Sequence, residues 1–295
     1  MEKKMKGIVL AGGSGTRLYP LTITQSKQQL PLYDKPMIYY PLSVLMLSGI
    51  QDILIISTPR DIEVFKLMFS DGKRFGLNIS YAIQPSPEGL AQAFIIGEQF
   101  IGHNPCAMVL GDNIFYGNKF TDMLLNAREN AMKGKATNFG YQVKEPERFG
   151  IMEIDDHQNI ISVEEKPEFP KSDFAITGLY FYPDDVVYKA KEVRPSARGE
   201  LEITTMNDMY LQEKRLIAEI MGGGFTWFDT GTHEDLLKAS CMIRTIQENK
   251  GIIISCLEQI AYKNGWINRD EMEKNIELHG KSPYSEYLIK ILKKY

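Results

Sequence analysis

The 295-residue chain is poor in the residues that build disulfide frameworks and metal centres. It has three cysteines, Cys106, Cys241 and Cys256, odd in number and widely spaced. That pattern suits neither a disulfide scaffold nor a zinc site, and plain thiols in a reducing compartment are expected. The four histidines (His103, His157, His233, His279) lack metal-ligand spacing, so zinc hydrolysis has no support. No apolar run approaches the ~20 residues of a membrane helix. The stretch after the amino-terminal lysines ends in glycines within a few residues, too short for a secretory core. A cytoplasmic protein with no membrane contact is expected. Positive charge is not in excess: the net charge is −4, and no long basic run or aromatic-basic face invites nucleic acid. Any anion site must be local.

What is present is ordinary globular material, 43% hydrophobic and 24% charged. The length allows one large α/β domain or two small ones. The informative stretch is Gly7-Ile8-Val9-Leu10-Ala11-Gly12-Gly13-Ser14-Gly15-Thr16-Arg17-Leu18, running on to Lys27. Ile8 to Ala11 reads as a buried strand that empties into a glycine turn. Gly12, Gly13 and Gly15 let the backbone approach a ligand, and Arg17 and Lys27 add fixed positive charge. A polyphosphate suits that combination. The nucleoside-triphosphatase loop is excluded because Thr16-Arg17 follows Gly15, and the dinucleotide loop because Leu18 stands where its third glycine belongs. In isolation, a plain strand-to-loop turn fits as well.

Strand and helix alternate through the first half: strands at Ile53 to Ser57, Asn78 to Ile83 and Ala107 to Leu110, helices at Met37 to Gly49, Asp61 to Phe69 and Leu90 to Phe100. Pro31 to Pro36 reads as irregular. Such alternation predicts a mostly parallel sheet with helices on both faces and ligands beyond the carboxyl ends of its strands. A helix at Thr121 to Met132 precedes a strand-rich stretch: Ala136 to Val143, Gly150 to Ile154, Ile160 to Glu165 and Phe174 to Tyr182. Helices at Asp184 to Glu192 and Thr204 to Glu213 and a strand at Leu216 to Met221 follow. Gly222 opens a loop through Phe225 to Gly231, then His233 to Glu248 starts a helical tail. We divide the chain into a core of residues 1–250 and a helical extension, 251–295, of the same domain. Within the core, 1–135 is the nucleotide part and 136–232 the smaller sugar-binding sheet region.

Arg17 with Lys27, Gln84 with Gly89, Asp112, Glu165-Lys166-Pro167 and Trp227-Phe228-Asp229-Thr230-Gly231 all fall at loop ends. Two carboxylates, each beside a glycine-containing strand end, suit Mg²⁺, which takes one or two carboxylates plus phosphate oxygens and waters. Solvated loop aspartates are the plain alternative.

Eight motifs now stand in order: Gly12 to Leu18, Ser26-Lys27, Lys35 to Pro41, Gln84 to Ala91, Val109 to Asn113, Glu164 to Pro167, Gly199 to Thr204 and Trp227 to Thr232. Together they closely resemble the sugar-nucleotide pyrophosphorylases, and among these the thymidylyl-transferring branch. The resemblance implies that dTTP and glucose 1-phosphate give dTDP-glucose and pyrophosphate with Mg²⁺. It places Leu10, Gly12, Gly13, Ser14, Gly15, Thr16, Gln28, Gln84, Pro87, Gly89 and Asp112 around the nucleotide, with Arg17 and Lys27 as the catalytic cations. It also places Gly150, Glu165, Lys166, Tyr180 and Arg198 around the sugar phosphate and gives the metal to Asp112 and Asp229. Tyr116, Gly117 and Glu258 match a regulatory nucleotide site, which implies feedback by dTDP-rhamnose, and a homotetramer is implied as well.

Two positions depart from the pattern: Thr205 replaces an acidic residue, and Gly223 a residue that is commonly basic. A related enzyme using UTP or another hexose 1-phosphate stays open, because one methyl in an apolar pocket is worth only ~1–3 kcal/mol. A non-catalytic nucleotide-sugar-binding subunit predicts loss of Arg17, Lys27, Asp112 or Asp229, and all four are present.

Overall fold

The run Lys6–Ala11 forms β1, buried nearly throughout because it lies in the middle of a nine-stranded sheet. An uninterrupted apolar run is what that position selects, since neither face meets water. The computed structural model describes residues 3–13 and 15–294, so Ser14 of the glycine turn lies outside the described residues.

The remaining strands are β2 Pro31–Leu32, β3 Lys35–Pro36, β4 Asp52–Ser57, β5 Asn78–Ile83, β6 Cys106–Leu110, β7 Ile114–Gly117, β8 Ala136–Gln142, β9 Gly150–Ile154, β10 Ile160–Glu165, β11 Phe174–Tyr182, β12 Leu216–Met221 and β13 Phe225–Phe228. The helices are α1 Tyr39–Leu47, α2 Ile62–Phe69, α3 Gln92–Ile96, α4 Glu98–Ile101, α5 Phe120–Met132, α6 Val186–Glu192, α7 Ile203–Gln212, α8 His233–Lys250, α9 Leu257–Lys263, α10 Arg269–His279 and α11 Pro283–Lys294.

β6, β1, β4 and β5 run parallel, in that order. Their carboxyl ends therefore open on one edge, where Gly12, Thr58, Gln84 and Gly111 begin loops. β11 joins β6 antiparallel and carries the second-half strands β8, β9, β10 and β12 into the same sheet. Along β1, Val9 and Ala11 face a core with Leu45 of α1, Phe65 of α2 and Leu124 of α5, and Leu257, Met272 and Leu288 of α9–α11 pack on the same side. Ile8 and Leu10 face the opposite core with Phe94, Val186, Met206 and Tyr210. α8 closes a third cluster through Ala239 and Ile243 against Leu32, Tyr40 and Ile114.

Several local expectations are corrected. Pro31 to Pro36 is a small antiparallel pair, β2–β3, rather than irregular chain. The helix expected over Leu90 to Phe100 is broken at Gly97, where a Cβ would press on Ile8 and Leu54 at 3.3 Å, so the residue that lets the helix lie close to the sheet also interrupts it. Asp61 starts α2, but its carboxylate is taken by Thr58 and Arg60 and does not cap the helix. The stretch 225–228, read as part of a loop, is a strand that pairs with 114–117, as a ribbon separate from the main sheet. Among the described residues no helix is long and apolar enough to cross a membrane, and Cys106, Cys241 and Cys256 are free thiols.

Candidate active site

The glycine turn leaves β1 with Gly13 at φ +96° and Gly15 at φ +62°, conformations that side chains with a Cβ resist. Thr22 Oγ1 donates to the Gly15 carbonyl at 2.7 Å and holds the turn from below. Gly12 answers to a different constraint: a Cβ there would lie 2.4 Å from Gln84 Oε1. A cavity of about 250 Å³ opens over the turn, lined by Gly12, Gly13, Gly15, Thr16, Arg17, Lys27, Gln28, Asp112 and Gly231. Arg17 is exposed and makes no ion pair among the described residues, so its planar fork is free to take phosphate oxygens.

Asp112 follows β6 and Asp229 follows β13. The antiparallel register Phe228 to Ile114 is what brings these distant residues together. Lys27 Nζ lies 2.7 Å from Asp112 Oδ2 and 3.9 Å from Asp229 Oδ1. Asp112 is braced on several sides. Asn113 Nδ2 donates to its Oδ1 at 2.9 Å, and Thr230 Oγ1 donates to its carbonyl at 2.7 Å. Asn113 is itself fixed, because its Oδ1 accepts the Gly178 N–H and the Trp227 indole N–H. Burial alone would raise the Asp112 pKa, but the Lys27 ammonium and these hydrogen bonds outweigh it and hold the carboxyl below its usual range. Asp229 goes the other way, pushed up to about 6 by burial and by the Asp112 charge, which Lys27 and Arg17 offset only in part.

The pair is therefore short of positive charge, with one ammonium between two hard oxygen donors. That donor set fits a divalent cation that keeps waters and shares substrate phosphates. No group of three or more metal-binding side chains exists among the described residues, so a cation here needs oxygens from a ligand.

A second cavity of about 220 Å³ continues from the first and shares Gly12, Gly13, Gln28 and Asp112 with it. Leu10, Gln84, Pro87, Gly89 and Glu200 complete much of its wall. Gln84 is buried and donates through Nε2 to Gln92 Oε1 at 2.7 Å, so half of its amide is already engaged. Gly89 lines this cavity at φ +104°, but its missing side chain points elsewhere. A Cβ would meet the Leu201 backbone oxygen at 2.4 Å. The lack of a side chain at Gly89 thus makes room for the backbone around Leu201, whose N–H donates to the neighbouring Glu88 O at 2.7 Å.

None of the sugar-phosphate candidates lines either cavity, and they connect to this one through Glu200. Glu165 and Gly150 sit opposite each other in the β9–β10 hairpin. Glu165 accepts from Thr204 Oγ1 at 2.5 Å and from Arg198 Nη2 at 3.2 Å. Arg198 also reaches Glu202 and Glu200, so Glu200 ties the nucleotide cavity to the Glu165 cluster. Lys166 takes a strained positive φ of 44° at the end of β10, with its Nζ 3.7 Å from Glu165 and its side chain largely free. Tyr180 is buried and stacked on Tyr182, its hydroxyl pushed far above the usual phenol range by burial. Sequence reasoning did not single out Glu200, Thr204, Asn113 or Gln92. Glu200 and Thr204 stand inside one of the eight motifs and Asn113 inside another, and only the fold shows which residues of each turn toward the site.

Tyr116 and Gly117 border a separate cavity of about 450 Å³ between α1, β7 and α9. Glu258 does not line it. Its carboxylate is fully buried, accepting from Tyr284 at 2.6 Å and sitting 2.8 Å from His279 Nε2, so its expected place at that site is corrected. Thr205 and Gly223 are exposed, and a Cβ on Gly223 would touch nothing within 4 Å.

Comparison with known proteins finds relatives over nearly the whole chain. A nucleotidyl transferase family model matches residues 6–246. The glucose-1-phosphate thymidylyltransferase of Neisseria meningitidis serogroup A is 56% identical over 98% of this chain and 100% of its own length. The enzyme of that name from Mycobacterium tuberculosis (strain H37Rv) is 47% identical over the same shares. A crystal structure of UDP-glucose pyrophosphorylase complexed with UDP-glucose superposes with a TM-score of 0.72 at 26% identity, covering 82% of this chain and 98% of that one. Glycine turn, carboxylate pair and contiguous cavities thus meet a full-length match, and the chain belongs to the nucleotidyl transferase family, among the glucose-1-phosphate thymidylyltransferases.

Proposed function

We propose that this enzyme transfers the thymidylyl group of dTTP to glucose 1-phosphate, giving dTDP-glucose and pyrophosphate, with Mg²⁺ as the metal. The observation that carries the reading is the continuity of the two cavities through Gly12, Gly13 and Asp112, with Glu200 and Arg198 leading on to Glu165.

The triphosphate lies over the glycine turn, where backbone N–H groups, Arg17 and Lys27 meet its charge. Asp112 and Asp229 hold Mg²⁺, which supplies charge neutralisation at the phosphates when bound. The base lies against Gln84 and Pro87, and Lys166 takes the sugar phosphate while Glu165 and Arg198 orient the sugar. The attacking phosphate oxygen is already anionic, so no general base is needed. Catalysis reduces to in-line positioning and to donors aimed at developing charge.

The nucleotide and sugar halves form one continuous sheet, and we treat residues 251–295 as part of the same domain. The cavity beside Tyr116 and Gly117 is where we place feedback by dTDP-rhamnose. A homotetramer, which rests on the family resemblance, and a cytoplasmic setting, which rests on the scattered thiols and the lack of a long apolar run, belong to the same reading.

The test is pyrophosphate release from dTTP, measured with and without glucose 1-phosphate and Mg²⁺, with UTP assayed in parallel. Release that depends on both partners is expected, with kcat/KM higher for dTTP. A higher value for UTP would overturn the thymidylyl assignment, and nucleotide binding without release would favour a regulatory subunit.

A further inference from the structure

Gln84 is held by residues that do not line the cavity. Its Nε2 donates to Gln92 Oε1 at 2.7 Å. The same Gln92 oxygen faces the backbone N–H of Glu88 at 3.3 Å, a group that can only donate. At its other end, Gln92 Nε2 donates to Glu88 Oε2 at 2.9 Å, an ionised carboxylate that can only accept. Both contacts demand one orientation of the Gln92 amide, oxygen toward Gln84 and nitrogen toward Glu88. Ser86 Oγ takes the remaining Glu88 oxygen at 2.6 Å. An amide network is normally ambiguous to a flip, and here two groups of fixed polarity remove the ambiguity. Gln84 must then turn its NH₂ to Gln92 and leave its carbonyl oxygen on the Gly12 side, where the absent Cβ makes room for it.

We infer that Gln92, anchored by Glu88, is a positioning residue that decides which pyrimidine the pocket accepts. The inference rests on the reading above that places the base against Gln84. A thymine or uracil edge offers the O4 acceptor beside the N3 donor, whereas cytosine offers the N4 amino donor beside the N3 acceptor. A freely flipping glutamine satisfies either edge. One with fixed polarity satisfies only one edge in a given pose, and the other edge leaves donor facing donor and acceptor facing acceptor. Rejection of cytosine is thereby set by an exposed carboxylate outside the pocket, relayed through two amides.

The experiment compares kcat/KM for dTTP and dCTP in the full-length enzyme. Gln92→Met removes both amide contacts at similar volume, and the dTTP-to-dCTP ratio is expected to fall about 10-fold or more, within the range a bidentate base contact supplies. The exchange Glu88→Gln with Gln92→Glu keeps an acceptor facing Gln84 and a donor facing that acceptor, and it should hold the ratio within about 2-fold of wild type. A merely structural role would lower both substrates together and leave the ratio unchanged, which would overturn the inference. So would an exchange variant as indiscriminate as Gln92→Met. If Gln92→Met does not fold, Glu88→Ala takes its place, with a smaller fall in the ratio expected and an unchanged ratio counting against us. Gln84→Ala separates the two levels. If it leaves the dTTP KM and the ratio unchanged, the base is not at Gln84 and the underlying reading fails. If it shifts them while Gln92→Met does not, only the relay fails.

Discussion

The ammonium of Lys27 stands 2.7 Å from Asp112 and 3.9 Å from Asp229, inside a pocket where the side chain of Lys27 is 9% exposed. One cation thus offsets two carboxylates before any ligand arrives, and it faces the cavity over the glycine turn. Lys27→Met removes that charge with little change in shape. Turnover should drop about 10²–10³-fold, the range for a lost charge-stabilising donor, with a smaller effect on the dTTP KM. The metal-free protein should also melt earlier, because two carboxylates are left repelling each other. Steady-state kinetics and a thermal melt in EDTA read the two effects.

Asp229 gives the opposite stability result. Its folded-state pKa of about 6 lies above the ordinary carboxylate value, so the folded protein binds that proton more tightly than the unfolded chain does. Between about pH 4 and 6 the stability contribution therefore falls as pH rises, and above 6 the ionised group carries its full cost. Asp229→Asn should abolish metal-dependent turnover yet stabilise the metal-free protein at pH 8 by about 1–3 kcal/mol. At pH 5 the gain should shrink. Denaturant melts at the two pH values check the sign, and a variant less stable than wild type at pH 8 would contradict it.

Two glycines in the same cavity should respond differently to Ala. In Gly12→Ala the new Cβ falls 2.4 Å from Gln84 Oε1, so the amide must move, and the dTTP KM should rise about 10-fold with little change in melting temperature. In Gly89→Ala the Cβ collides with the Leu201 backbone at a φ of +104°, and stability should fall by about 2 kcal/mol or more. Kinetics and melts on both variants distinguish a ligand-facing glycine from a packing glycine.

Lys166→Ala should raise the KM for glucose 1-phosphate about 10-fold or more while leaving the dTTP KM nearly unchanged, since a single point charge to phosphate is lost. The side chain is 46% exposed, so no measurable stability change is expected.

Much of this was legible because chain order and local chemistry coincide. Ile8 to Ala11 read as a buried strand because its apolar run is unbroken, and Asp112 read as a site residue because it ends a similar run. The gaps have physical causes. β7 and β13 are four residues each and over a hundred residues apart, so neither shows a period long enough to see, and only their mutual pairing makes them strands. Gly97 looked compatible with a continuous helix because its close approach to Ile8 and Leu54 is a property of the packed sheet. Glu258 matched a family position by sequence, and nothing local reveals that α10 and α11 fold over it and supply His279 and Tyr284.

The β7–β13 ribbon has only four residue pairs, and Asp112 and Asp229 emerge from the same end of it. The spacing of the carboxylates is therefore inherited from strand alignment and not from either loop. Glycines can be added to the 222–224 turn at the opposite end without disturbing that spacing. A single residue inserted between Trp227 and Asp229 would shift one acid relative to the other and disarm the enzyme while leaving every site residue in the sequence.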